Sequence, residues 1–166
     1  HCHTRRQRQM CIRDSSDLAH ESAGGGKPIE ELTSDELYNL GLDLEELDQN
    51  QAKNVYQRAA SLDPTNVDAI INLGRILQLE GDLKMAKQAY ERGLSLNPRH
   101  ELANYNLGTI FDELDETSIA SSYYEKAPNV PDAHYNLARL KELAGDQVSA
   151  KRHLQLYKEL VELEGF

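Results

Sequence analysis

Tryptophan is absent from this 166-residue chain, and cysteine occurs only as Cys2 and Cys11. The body of the chain therefore has no disulfide framework, which fits a reducing, cytoplasmic setting. Long apolar runs are missing too, so the sequence offers neither a membrane-spanning helix nor the apolar stretch of a secretory leader. A surplus of positive charge is lacking as well. The formal net charge is −10, which argues against nucleic acid or an anionic membrane as a partner of the chain itself. What basic character exists sits at the head, where Arg5, Arg6, Arg8 and Arg13 face Asp14 alone within residues 1–14.

Recognisable catalytic groupings are missing. His100 falls in a turn and His134 beside Tyr135 on a helix, both reading as surface or groove-edge residues. With His153 they complete the histidines of the body, and no serine, cysteine or paired acid gives them a nucleophile setting. Glu45, Glu46, Asp112, Glu113 and Asp115 read as solvated helix faces. We therefore expect no enzyme, no catalytic residue and no cofactor. His1, Cys2, His3 and Cys11 lack the paired spacing of a structural zinc site, so no metal is expected. Residues 1–15, "HCHTRRQRQMCIRDS", resemble translated sequencing adapter, which implies that the native chain departs from this sequence near Ser15. "GGGKP" is not a phosphate loop, because Lys27 is followed by Pro28 rather than Ser or Thr. Residues 1–32 read as a disordered tail and linker.

What is present is a repeat. Tyr56 and Tyr90 lie 34 residues apart, as do Pro64 and Pro98, Ala52 and Ala86, Leu73 and Leu107, and Tyr90 and Tyr124. Asn-Leu-Gly recurs at residues 39–41, 72–74 and 106–108, with Asn136-Leu137-Ala138 as a fourth copy. Each copy reads as two amphipathic helices: Ile70, Leu73, Gly74 and Leu77 share one helical face, and Leu83, Ala86, Tyr90, Gly93 and Leu94 share the next. Gly81-Asp82 and Gly145-Asp146 each combine a glycine helix stop with a capping carboxylate. Thr33 and Glu36 have the spacing of a capping box and start the first helix. Gly74, Gly108 and Ala138 on one helix, and Ala52, Ala86, Ala120 and Ala150 on the other, permit close approach. Tyr56, Tyr90, Tyr124 and Leu154 are expected to fill the space between units.

One copy is short. Tyr90 and Leu107 are 17 residues apart, whereas Tyr124 and Leu137 are 13 apart. Four residues approximate one helical turn, so the second helix of the third copy is expected to end at Ala127, with Pro128 in the place of Pro98.

This pattern resembles the tetratricopeptide repeat. The resemblance implies an all-α, right-handed superhelical solenoid of helix-turn-helix hairpins over residues 33–163, with four repeats at about 33–66, 67–100, 101–130 and 131–163. It also implies a scaffold or adaptor that binds a partner peptide or helix in a concave groove lined by the first helix of each repeat. The groove positions are then Tyr38, Asn39, Asn72, Arg75, Tyr105, Asn106, Tyr135, Asn136 and Arg139, flanked by Leu42, Ile71 and Thr109. The asparagines form a ladder of amides suited to a peptide backbone, and the tyrosines add contact area typical of hot spots. Relatives that clamp acidic chaperone tails use Lys and Arg here, whereas the matching positions are Asp35, Tyr38, Asn72, Leu102 and Asn106. With Asp68, Asp112, Glu113 and Asp132 nearby, a neutral or basic protein partner is implied. The repeats are also similar to the C-terminal region of bacterial MerR-type helix-turn-helix regulators. That implies an alternative role as an oligomerisation or sensing module for a DNA-binding domain not in this chain. The last helix, running on through Leu156, Tyr157, Leu160, Val161 and Leu163, either caps the array or makes a homodimer contact.

Overall fold

The computed structural model describes residues 27–164. The arginine-rich head, both cysteines and the GGGK stretch up to Gly26 lie outside the described residues, so the adapter, zinc and phosphate-loop readings are not addressed by it. Among the described residues the structure is all-α, with no strand. The helices are α1 (Ser34–Leu44), α2 (Gln49–Leu62), α3 (Val67–Leu79), α4 (Leu83–Leu96), α5 (Glu101–Glu113), α6 (Thr117–Tyr124), α7 (Pro131–Leu143) and α8 (Gln147–Glu164). None of them is long and apolar enough to cross a membrane. The chain divides into two compact units, one ending at Ala69 and the other beginning at Ile70.

In the first unit, α1 packs against α2. Thr33 caps α1 in a full capping box with Glu36, and Lys27 Nζ reaches the same carboxylate at 2.8 Å. The Lys27 hydrogen bond, aided by Thr33, holds the exposed Glu36 carboxyl down to about 2. Order reaches further back than the linker reading allows: Ile29–Glu31 form a 3-10 turn, and Leu32 is buried. Arg58 fixes that turn by donating to the Glu30 carbonyl at 3.2 Å. Ser34 ties the helices together, donating to Ala59 O at 2.9 Å and accepting from Asn66 Nδ2 at 2.8 Å.

In the second unit, α4 packs on α5, α5 on α6, α6 on α7 and α7 on α8. The α3–α4 link is a Schellman stop: Gly81 has φ +84°, Gly81 N–H bonds Gln78 O, and Asp82 N–H bonds Leu77 O. Nothing lies within 4 Å of the place a Cβ would take at Gly81, so backbone conformation alone calls for glycine there. The α7–α8 link repeats this with Gly145 and Asp146, and the α5–α6 link repeats it with Asp115 at φ 60°. Asp82 and Asp146 then cap the following helices through the N–H groups of Met85 and Ser149.

The close approach inside each hairpin is specific. A Cβ at Gly74 would stand 2.8 Å from the Tyr90 ring and one at Gly108 2.7 Å from Tyr124, and one at Gly41 would meet Tyr56 more closely still. The tyrosines thus lie across the glycine of their own hairpin, where the sequence reading placed them between units. Each ring also carries a hydroxyl that must stay hydrogen-bonded, and the first helix of the same hairpin or its C-cap supplies the partner: Glu45 for Tyr56 at 2.7 Å, Gln78 for Tyr90 at 3.0 Å and Asp112 for Tyr124 at 3.1 Å.

The shortened copy differs from expectation in one respect. Helix α6 ends at Tyr124 rather than Ala127. Lys126 and Ala127 continue the chain through i−3 bonds to Tyr123 and Tyr124, a tighter 3-10 path that uses up the last turn. Pro128 does take the place of Pro98. His100 N–H bonds Asn97 O at 3.1 Å, and Val130 N–H bonds Ala127 O at 3.2 Å, each closing an identical turn.

Candidate functional site

The hydroxyl and amide groups between α3 and α5 form one hydrogen-bonded chain in the second unit. Gln78 accepts from the Tyr90 hydroxyl and donates its own amide to Thr109 Oγ1 at 2.8 Å; Thr109 in turn donates to Asn106 O at 2.7 Å. These bonds fix the floor of an open cleft of about 480 Å³ lined by Arg75, Gln78, Leu79, Tyr105, Asn106, Thr109 and Glu113. Asn106 itself is 7 % exposed, and its buried Nδ2 makes no hydrogen bond of normal geometry within the described residues. Burial holds the Tyr90 hydroxyl protonated well above its ordinary range, while the charge of Arg75 and then a hydrogen bond from the Asn106 side chain pull it down. A buried amide left short of a well-formed hydrogen bond costs on the order of 1–3 kcal/mol.

Around this cleft the sequence-predicted residues separate. Arg75, Tyr105 and Asn106 line it. Tyr105 packs on the Tyr124 ring at 5.9 Å; burial, then the charge of Asp132, push its hydroxyl up, while the Asn136 side chain bonds it and pulls it down. Asn136 therefore reaches the Tyr105 edge from α7. Arg139 is instead engaged by Asp112, which also accepts from Tyr124. Tyr135 is half-exposed and tilts against Tyr157 of α8, the ring centroids 5.6 Å apart. Asn72 is half-buried on α3. Ile71, read as an exposed groove position, is buried, because its i+3 neighbour Gly74 lies on the packed side of α3. In the first unit, Asn39 is exposed and Tyr38 is half-buried, leaning on Tyr56 at 6.0 Å.

Sequence reasoning missed Gln78 as a cleft residue and the burial of His134, whereas Glu113, read as adding acidity beside the groove, does line the cleft. Gln78 had a signal, since it sits 34 residues before Asp112 and both receive the hairpin tyrosine. His134 is 8 % exposed, not a surface residue. Its repeat counterpart, Asn104, is also buried and donates Nδ2 to Pro98 O at 3.2 Å, as His134 Nε2 meets Pro128 O at 3.1 Å. Leu37 and Ile70 fill the same repeat position in the other copies. Among the described residues no group of three or more His, Cys, Asp or Glu is arranged to hold a metal ion.

Comparison with known proteins agrees with this architecture. The family model described as tetratricopeptide repeat matches residues 44–104. Among solved structures, a crystal structure of MamA is 24% identical, with a TM-score of 0.67 over 80% of this chain and 80% of that one. MamA residues 41 to the end from Desulfovibrio magneticus RS-1 are also 24% identical, with a TM-score of 0.64 over 80% of this chain and 78% of that one. PilF of Pseudomonas aeruginosa is 22% identical, with a TM-score of 0.69 over 76% of this chain and 60% of that one. No curated protein matches by sequence.

Proposed function

We propose that this chain, whose residues 44–104 match the tetratricopeptide repeat and whose fold is similar to that of MamA, is a protein-binding scaffold whose α3–α5 cleft takes an extended segment of a partner protein. The observation that carries this reading is the open cleft whose wall brings Arg75, Tyr105 and Asn106 together, with an Asn106 amide that lacks a well-formed hydrogen bond and is of the type that pairs with peptide backbone. Arg75 and Tyr105 offer a charged fork and a flat ring on the same wall. Glu113 in the lining and Asp132 beside Tyr105 support a neutral or basic segment, since the charge of Asp112 is already matched by Arg139.

The test is selection of a random linear peptide display library on the whole chain. Enriched neutral or basic sequences that lose about tenfold in affinity against Asn106→Leu support the reading, a loss in line with one buried hydrogen bond. Peptides that bind the variant as well as the parent sink it.

A second reading, self-association through α8, draws on Leu154, Val161 and Leu163, which remain exposed there. Light scattering across a concentration series would show a dimer that Val161→Glu dissociates; a monomer at all concentrations removes it. The regulator reading adds no residue to the cleft, and sequencing the native transcript upstream of Ser15 tests it.

A further inference from the structure

Where Leu37 and Ile70 fill the core of their repeats, α7 places an ionisable ring. A carbonyl oxygen only accepts, so the 3.1 Å contact between His134 Nε2 and Pro128 O places a proton on Nε2. Neutral His134 then presents a lone pair at Nδ1, and the Nδ1 of His153 on α8 lies 3.0 Å from it. That bond requires His153 to donate from Nδ1, so the tautomers of both rings are set by geometry. The rings are stacked, with centroids 5.3 Å apart and 26° between planes.

The geometry lets one extra proton join the pair without loss of the bond between the rings. A proton arriving at His153 Nε2 leaves its Nδ1–H still donating to His134. A further proton on His134 Nδ1 replaces the acceptor with a second donor and sets two cations face to face in a partly buried site. We propose that His134 and His153 form a proton-sensitive latch between α7 and α8, closed while at most one ring is charged and broken by the second proton. The surroundings bear in the same direction. Lys141 on α7 and Arg152 on α8 oppose charge on His153, and Glu125, just past the end of α6, favours it. Glu125 is itself shared with Lys141 at 3.8 Å. Burial adds to this and pulls the His153 imidazole below its usual range.

Backbone amide hydrogen exchange of the whole chain, corrected for the intrinsic pH dependence, tests the latch between pH 7.5 and 5. The expected result is a loss of protection in α8 of up to roughly tenfold per pH unit per proton taken up, with α1 and α2 as the internal reference. His134→Asn substitutes the residue that Asn104 supplies at the matching position and keeps a donor for Pro128 O. His153→Gln keeps a donor for His134 without a titratable ring. Both variants should lose most of the pH dependence of α8 while leaving that of α1 and α2 as it was. If α8 in either variant keeps the wild-type pH dependence, or if wild-type α8 changes no more than α2, the latch is overturned.

Discussion

Tyr124 lies flat against Gly108, so close that a methyl group on the glycine would stand 2.7 Å from the ring. The same pairing holds Tyr90 on Gly74 and Tyr56 on Gly41, and the fourth hairpin substitutes both partners together, with Ala138 and Leu154 in the matching places. The glycine and the ring are therefore one packing unit. Gly108→Ala is expected to cost about 1–3 kcal/mol by overpacking. Combined with Tyr124→Leu, which copies the fourth hairpin, it should cost less than the sum of the single changes by about 1 kcal/mol. Urea denaturation of the four proteins of the cycle measures this; strict additivity would deny the coupling.

Asp115 holds the left-handed position that glycine holds at Gly81 and Gly145. A side chain there costs about 1–2 kcal/mol, and the Schellman bonds of the turn involve only backbone. Asp115→Gly should therefore raise the urea midpoint without changing the slope. A lower midpoint would mean that the carboxylate holds something the geometry does not show.

The depressed His153 imidazole fixes the sign of a pH effect. Unfolded chains take up the proton near the ordinary value of about 6.5, and the folded chain takes it up at lower pH. Stability is then fully present above about 6.5 and is lost as pH falls below it. Equilibrium urea curves at pH 7.5 and 5.5 should show wild type weakened at the lower pH and His153→Gln weakened less. Equal losses in the two proteins would contradict the assignment.

Much of the fold was legible because it rests on local rules. The 34-residue recurrence, the glycine–aspartate stops and the Thr33–Glu36 box all involve residues a few positions apart, and each appears where the spacing predicts. The end of α6 was less legible, since the choice between one more α turn and two 3-10 bonds at Lys126 and Ala127 depends on where Pro128 must be delivered. Part of the cleft was readable as well: Arg75, Tyr105 and Asn106 were found from their place beside the Leu-Gly pair. The four asparagines of that ladder nonetheless differ in surroundings. Asn39 is exposed, Asn72 and Asn136 are half-buried, and Asn106 is buried. Identical letters gave no hint of this, because it is set by neighbours such as Gln78 and Thr109, whose pairing depends on how α3 and α5 face each other. His134 was misread for the same reason: its burial follows from the repeat position it shares with Leu37 and Ile70, not from its chemistry.

The most direct test of the binding account is the thermal and urea stability of Asn106→Leu. If the Asn106 amide is kept for a partner, removing a buried donor short of a well-formed hydrogen bond leaves the protein as stable as wild type or more so, while affinity for selected peptides falls about tenfold. If the amide instead serves the fold, the variant loses about 1–3 kcal/mol and peptide affinity, measured on the folded fraction, is unchanged; that result would contradict the account.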